Sequence, residues 1–366
     1  MSEQILYQDF IRRKKHSTGN YGFDPVWMPE SAFDFQKHII GKAIRKGRIG
    51  MFADTGLGKT LMQIVIAENI IRKTNKRVLI LTPLAVAFQF IDEATRIGVH
   101  DIAHSKAGEL NAKIVVCNYE RLHLLNPDDF ECVMLDESSI LKNFAGKTRD
   151  QIVAFIKRVP YRFLSTATPS PNDFIELGNS SEALGYMGYM DMLSRFFKST
   201  QNDQDSNNRN IGNKFRLLGH AERDFFAWVN QWSVMVKKPS DLGFSDDRYS
   251  LPSLHVNKHI ARNQKQWCID GQTSLFVMPA RTMTEVKEEQ KTTVNERCEQ
   301  AVALASGKTS VYWCNLNDES ELLASLDKDA VEIIGGMSID KKEEILVSFA
   351  RGEIKRLITK ARMTSM

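Results

Sequence analysis

Two short stretches of this chain hold residues that could do chemistry together. The first is Ala53-Asp54-Thr55-Gly56-Leu57-Gly58-Lys59-Thr60, set between an apolar run and a helical pattern. Glycines at 56 and 58 let backbone N–H groups turn inward around phosphate oxygens. The helix that comes next adds the positive potential of its N-terminus. Lys59 is then placed to reach the β- and γ-phosphates of ATP, and the Thr60 hydroxyl to hold Mg2+. The second stretch is Val133-Met134-Leu135-Asp136-Glu137-Ser138-Ser139, an apolar run that ends in adjacent carboxylates. Asp136 can bind Mg2+ through water opposite Thr60, and Glu137 can orient or deprotonate an attacking water. Each has a bland alternative when taken singly: a structural glycine turn for the first, an acidic cap for the second. In this order, within one alternating pattern, they specify a site for ATP and Mg2+. A third stretch, Leu164-Ser165-Thr166-Ala167-Thr168-Pro169, offers hydroxyls that could sense the γ-phosphate, although on its own it reads as a Ser/Thr-rich turn.

Positioning these groups requires strands that end where the chemistry begins. Apolar runs at 49–53, 78–81, 114–117, 132–135 and 161–164 read as short buried strands. Helical patterns fall between them at 61–72, 85–95, 120–125 and 147–157. Short buried strands alternating with helices imply a parallel sheet covered on both faces. Such sheets bind ligands beyond the carboxyl ends of their strands. Residues 178–250 break the rhythm. The polar stretch 201–213 reads as a mobile loop. In 222–236, Phe225, Trp228, Val229, Trp232 and Val236 share one helical face, which indicates a packed core over base stacking. From 252 the alternation resumes, with strands expected at 309–314, 331–334 and 356–359 and helices at 319–325 and 341–350.

The bulk properties bound the answer further. A length of 366 residues suits two domains. Hydrophobic residues at 42% and charged residues at 26% are ordinary for a globular chain able to bury sizeable cores. A net charge of +4 permits a basic groove without showing one. The five cysteines form no C-x-x-C pair, which argues against a zinc site or a disulfide framework, and Cys117 and Cys132 read as small core residues. His100 and His104 stand four apart, but no helical pattern or third ligand supports a metal site there. With neither a signal peptide nor a membrane-spanning run in view, the expected compartment is the cytoplasm, with no membrane partner.

The ordered set resembles a superfamily 2 DEAD/DEAH-box helicase of the Snf-type branch, and more narrowly the subgroup found in phages and prophages. Ala53 to Thr60 is similar to motif I. Asp136-Glu137-Ser138-Ser139 is similar to motif II, followed by the Lys142-Asn143 pair seen in Snf-type proteins, and Ser165 to Pro169 resembles motif III. The resemblance implies two RecA-like P-loop NTPase domains: 1–177, a helical insertion and connector at 178–250, and an incomplete second domain at 251–366. It implies ATP binding by Gln36, Thr55, Gly56, Leu57, Gly58, Lys59 and Thr60, Gln36 reading adenine. Thr60 and Asp136 would hold Mg2+, Glu137 and Lys59 would be catalytic, and Ser165, Thr166 and Thr168 would couple hydrolysis to movement. Thr82-Pro83 resembles motif Ia and Asn118-Tyr119 motif Ib, which in the family grip one nucleic-acid strand. Lys237 to Gly243 resembles the subgroup's connector, and Ile334-Gly335-Gly336 part of its second motor domain. The implied function is a DNA helicase or translocase driven by ATP. The Gly-containing motif V and Arg-rich motif VI of the family do not occur before Met366, so a truncated chain is expected. An ATP-switched DNA-binding protein with little turnover is the alternative.

Overall fold

The computed structural model describes residues 19–84, 86–142, 147–199, 215–247, 249, 253–261, 268–269, 272–273, 282, 286 and 290–360. The basic run at 12–15, the polar stretch 201–213 and Asn143 lie outside them. The chain divides into two units, Met1–Leu251 and Pro252–Met366.

In the first unit, helix α1 (Asp34–Lys46) buries Phe35, Ile39, Ile40, Ala43 and Ile44. It stops at Gly47, whose φ of 67° lies in the left-handed region that glycine enters without steric cost. The chain then alternates β1 (Arg48–Ala53), α2 (Lys59–Thr74), β2 (Arg77–Thr82), α3 (Ala87–Arg96), β3 (Ile102–His104) and β4 (Ile114–Asn118). After β5 (Phe130–Asp136) come α4 (Lys147–Lys157) and β6 (Tyr161–Ser165). The helical turn expected at 120–125 is a 3-10 segment, Tyr119–Leu124. Helices α5 (Leu177–Leu184) and α6 (Tyr189–Phe196) precede a short antiparallel pair, β7 (Phe197–Ser199) and β8 (Phe215–Leu217). Helix α7 (Glu222–Trp232) then leads directly into β9 (Ser233–Val236).

Among the described residues, seven strands form one parallel sheet in the order β3-β4-β2-β5-β6-β1-β9. Ile, Val and Leu fill its central strands because both faces are covered. One face packs on α1, α2 and α3 through Ile49, Ile64, Ile80 and Phe163. The other packs on α4 to α7 through Leu79, Leu135, Leu164 and Trp232. The described residues of 178–250, expected as a separate insertion and connector, therefore belong to this first core. Strand β9 completes its sheet by pairing with β1, Gly50 opposite Ser233 and Ala53 opposite Val236. The helix expected to run to 236 ends at Trp232, and Val236 is buried on a strand. Beyond β9, Phe244 packs on His38 and Tyr249 on Phe33 and Phe35.

The second unit holds a short antiparallel pair, β10 (Cys268–Ile269) and β11 (Gln272–Thr273), followed by α8 (Val294–Ala305), β12 (Ser310–Trp313), α9 (Asn317–Leu326), β13 (Ala330–Glu332), α10 (Ile339–Ala350) and β14 (Arg356–Thr359). Its parallel sheet runs β12-β14-β13. Arg356 and Tyr312 both bond the Asp327 carboxylate, which ties the strands to the end of α9. Both units are thus α/β with parallel sheets, as expected from the alternating pattern.

Candidate nucleotide site

The sheet order brings the motifs together. Strands β2, β5, β6 and β1 are neighbours. Their carboxyl ends carry Thr82, Asp136, Ser165 and the loop after Ala53. In register, Asp136 lies opposite Ser165 and Ser165 opposite Met51. Residues far apart in sequence meet because parallel strands all point the same way.

The loop 54–58 is the open part of the site, with Thr55 and Gly56 exposed. Gly56 and Gly58 have φ of 82° and 77°, which turns successive amides to one side. Helix α2 starts at Lys59 with no side-chain cap, so its first amides remain available to an anion. The Lys59 ammonium folds back over the loop and donates to the carbonyls of Ala53 at 3.1 Å and Asp54 at 3.3 Å. A phosphate oxygen could replace these two neutral acceptors with a charged one.

Gln36 is buried against this loop. Its Nε2 donates to the Leu57 carbonyl at 3.0 Å, while its Oε1 accepts from the Phe33 amide at 3.0 Å. A Cβ on residue 58 would lie 2.4 Å from Gln36 Nε2, so glycine at 58 and the amide at 36 fit each other. The residue expected to read adenine is thus committed, in this structure, to shaping the phosphate loop.

Asp136 is buried, 6% exposed, at the tip of β5. Its Oδ1 accepts from Gln63 Nε2 at 2.8 Å, and Thr82 Oγ1 stands 3.5 Å from Oδ2. Burial pushes its pKa up to about 6, and the Glu137 charge adds to this, against the pull of Gln63, Lys59 and Thr82. Glu137 has φ of 52°, a left-handed conformation that costs a glutamate about 1–3 kcal/mol and concentrates at functional sites. Its Oε2 accepts from Thr166 Oγ1 at 3.1 Å, and the Thr168 amide donates to the same hydroxyl. Thr166 is fully buried, so it fixes the carboxylate on which water activation would depend. The Thr168 side chain is exposed and the Ser165 side chain is buried.

The residues present suit a hydrated divalent cation. The Gln63 Oε1 and the hydroxyls of Ser138 and Ser165 are buried without a hydrogen-bond partner among the described residues. Uncompensated buried acceptors are costly, and cation-bound waters are donors. Gln63 carries no motif in the sequence. Its signal was a polar residue one turn after Lys59, between apolar Met62 and Ile64. No cluster of three or more His, Cys, Asp or Glu side chains able to hold a metal occurs among the described residues. Mg2+ in nucleotide sites needs no such cluster, since it takes one or two protein oxygens beside phosphate and water.

The four residues expected along a nucleic-acid path are placed differently. Thr82, Pro83, Asn118 and Tyr119 are all buried. Asn118 Nδ2 donates to the Pro83 carbonyl at 3.3 Å, and its Oδ1 meets Arg121 Nη1 at 3.1 Å and His104 Nε2 at 3.0 Å. Tyr119 Oη donates to the Asp136 carbonyl at 2.6 Å. These side chains form a polar strut behind Asp136 and offer no surface to a strand. The periodicity of β2 and β4 gave no means of telling a strut from a lining.

Comparison with known proteins then sets the class. Residues 33–176 match the DEAD/DEAH box helicase family. This stretch is a helicase-type ATPase domain, and it contains every group described above. The match spans less than half of the chain. No curated protein matches the sequence. Among solved structures, the chain is similar to the Sulfolobus solfataricus SWI2/SNF2 ATPase core in complex with dsDNA, at 14% identity and a TM-score of 0.45, over 94% of this chain and 80% of that one. It is similar to a hypothetical ATP-dependent RNA helicase from Sulfolobus tokodaii at 16% identity and a TM-score of 0.33, over 91% and 78%. A third is the UvsW helicase from Bacteriophage T4, at 15% identity and a TM-score of 0.37, over 48% and 66%. No helix among the described residues is long and apolar enough to cross a membrane.

Proposed function

We propose that this protein is a DNA translocase or helicase of the Snf-type branch, in which ATP hydrolysis drives movement on nucleic acid. The observation that carries the reading is the contact between Thr166 and Glu137 beside the buried Asp136. It joins the strand end after β6 to the group that would activate water, so a change at the γ-phosphate reaches β6 through one hydrogen bond.

The phosphates of ATP bind the amides of 55–60 and the Lys59 ammonium. Thr60 and Asp136 would hold Mg2+, which would neutralise charge on the β- and γ-phosphates. Glu137 orients the attacking water and takes its proton, and Ser165, Thr166 and Thr168 relay the state of the site. Gln36 exchanges its bond to the Leu57 carbonyl for the adenine edge, which links base recognition to the shape of the loop. Thr82, Pro83, Asn118 and Tyr119 act on nucleic acid by holding the strand ends rather than by touching it. The phage-type subgroup and a cytoplasmic site of action are part of this reading.

The test is steady-state ATP hydrolysis with duplex DNA, single-stranded DNA, RNA or no nucleic acid, on the chain and on Glu137→Gln. DNA stimulation that Glu137→Gln lowers by roughly 10²–10³-fold is the expected result. Hydrolysis indifferent to every nucleic acid removes the motor reading, and stimulation by RNA alone removes DNA as the track.

A further inference from the structure

The nucleotide site uses one edge of the sheet. The opposite edge, where β1 and β9 begin, carries a second cationic site. Helix α1 runs from Gln36 at the phosphate loop to Lys46, ten residues or about 15 Å away. Between its far half and the strap 20–28 lies a cavity of about 480 Å³, lined by Lys37, His38, Lys42, Arg45 and Lys46. Among the described residues that line it there is no carboxylate.

The strap is fixed at both ends. The amides of Tyr21, Gly22 and Phe23 donate to the carbonyls of Lys46, Arg45 and Ile44. A Cβ on residue 22 would lie 1.7 Å from the Ile44 carbonyl oxygen, so only glycine lets the strap approach this closely. Further on, the buried Asn69 accepts from the amides of Val26 and Trp27 at 2.8 and 3.0 Å. The strap therefore does two things. It walls the cavity, and it satisfies the α1 carbonyls that would otherwise present a negative helix end.

The floor is Gly41, in the middle of α1, where glycine costs about 1 kcal/mol against alanine. A Cβ there would lie 3.2 Å from Arg45 Nη1 and 3.9 Å from Pro25. His38, Lys42 and Lys46 follow one another at four-residue steps, about 6 Å apart along one face. Among the described residues, Lys42 Nζ makes one long contact, 3.4 Å, to the Ser233 carbonyl at the start of β9. Burial lowers the pKa of Lys42, and burial together with the Lys42 charge lowers that of Lys46. Among the described residues, Asp24 pairs with Arg45 and Asp34 with Lys37, both on exposed side chains where pairing is weak. Arg48, Arg72 and Lys73 stack on the strap's Tyr21, Trp27 and Phe23, which extends the positive surface.

We infer that this cavity is a second phosphate-binding site, which takes the phosphodiester backbone of nucleic acid on the edge of the domain opposite to the ATP loop. Like charges spaced along a helix face, over a floor kept open by glycine, suit successive phosphates of one strand. The site rests on the proposed nucleic-acid reading and gives it a contact that the buried motif Ia and Ib side chains do not provide.

The experiment is equilibrium binding of a short labelled duplex, and of its single strand, across a salt series. It compares the full chain with Lys42→Gln/Lys46→Gln and with Lys42→Arg/Lys46→Arg. Loss of two phosphate contacts is expected to reduce the slope of log affinity against log salt by about 2 on duplex, and by slightly less on the single strand. The arginine pair retains the slope, and ATP affinity in the absence of DNA is unchanged in both variants. If the glutamine pair binds both probes with the wild-type slope, the site is not a backbone contact while the motor reading stands. If the wild-type chain binds neither probe at any salt, both fall.

Discussion

Two sets of strand ends on the same sheet edge have been put to opposite uses. After β1 the chain exposes Thr55 and Gly56 and leaves helix amides and an ammonium available to a ligand. After β2 and β4 it buries Thr82, Pro83, Asn118 and Tyr119 and uses their polar atoms internally. The difference lies in the backbone at each strand end. A glycine-containing loop with positive φ angles projects backbone outward, whereas Thr82 and Asn118 are still on strand positions flanked by neighbours, where a hydroxyl or amide must find a partner in the core. In the proposed reading the nucleotide binds at the first set, while the second stabilises the strand ends beside it.

The comparison can be broken most sharply at Asn118. Its amide serves Pro83, Arg121 and His104, so Asn118→Ala removes three hydrogen bonds at once from a polar cluster behind Asp136. An unfolding free-energy loss of roughly 2–4 kcal/mol is expected by denaturant titration. A loss below about 0.5 kcal/mol would show that the strut is not structural. Next in size is Asp136→Asn. A carboxyl held near pH 6 instead of its ordinary 3.8 costs the folded state roughly 3 kcal/mol once ionised. The variant is expected to raise nucleotide-free stability by about 1–3 kcal/mol while Mg2+-dependent ATP binding is lost.

The same residue sets a pH dependence. Because its folded pKa is raised, the folded state binds more protons than the unfolded chain between about pH 4 and pH 6. This group's contribution to stability therefore falls as pH rises through that window and is level above it. Mg2+ competes with the proton, so apparent Mg2+ affinity in the presence of ATP is expected to drop as pH falls below about 6. Affinity independent of pH down to 5 would place the metal elsewhere. The smallest effect, roughly tenfold in ATP affinity or about 1.4 kcal/mol, is expected for Gly58→Ala, whose added carbon displaces the Gln36 amide. Unchanged ATP affinity in Gly58→Ala would show that neither this contact nor the positive φ at 58 shapes the site.

Much of this was legible in the sequence because the central strands are continuous apolar runs and the phosphate loop has few other uses. The strands at 49–53, 78–81, 114–117, 132–135 and 161–164 all occur, within a residue or two at their ends. Strand β9 was not legible. Trp232 passes into Ser233 with no turn residue between, and Val236, four after Trp232, satisfies the helical period as well as the strand does. The first unit accordingly ends at 251, where the sequence pattern ended the first domain at 177 and set an insertion at 178–250. Gln63 was hidden because a buried glutamine leaves no motif, only an interruption in an apolar face. The burial of Asn118 and Tyr119 depends on Asp136, Pro83 and Arg121, contacts that no periodicity encodes.

The most direct measurement is calorimetric binding of ATP with Mg2+ to Lys59→Ala and Asn118→Ala beside the unaltered chain, under conditions where all three are folded. Loss of affinity by about 100-fold or more in Lys59→Ala, with near-normal affinity in Asn118→Ala, is the expected result. Undiminished binding in Lys59→Ala, or a loss confined to Asn118→Ala, would contradict the assignment of the nucleotide to the open strand end.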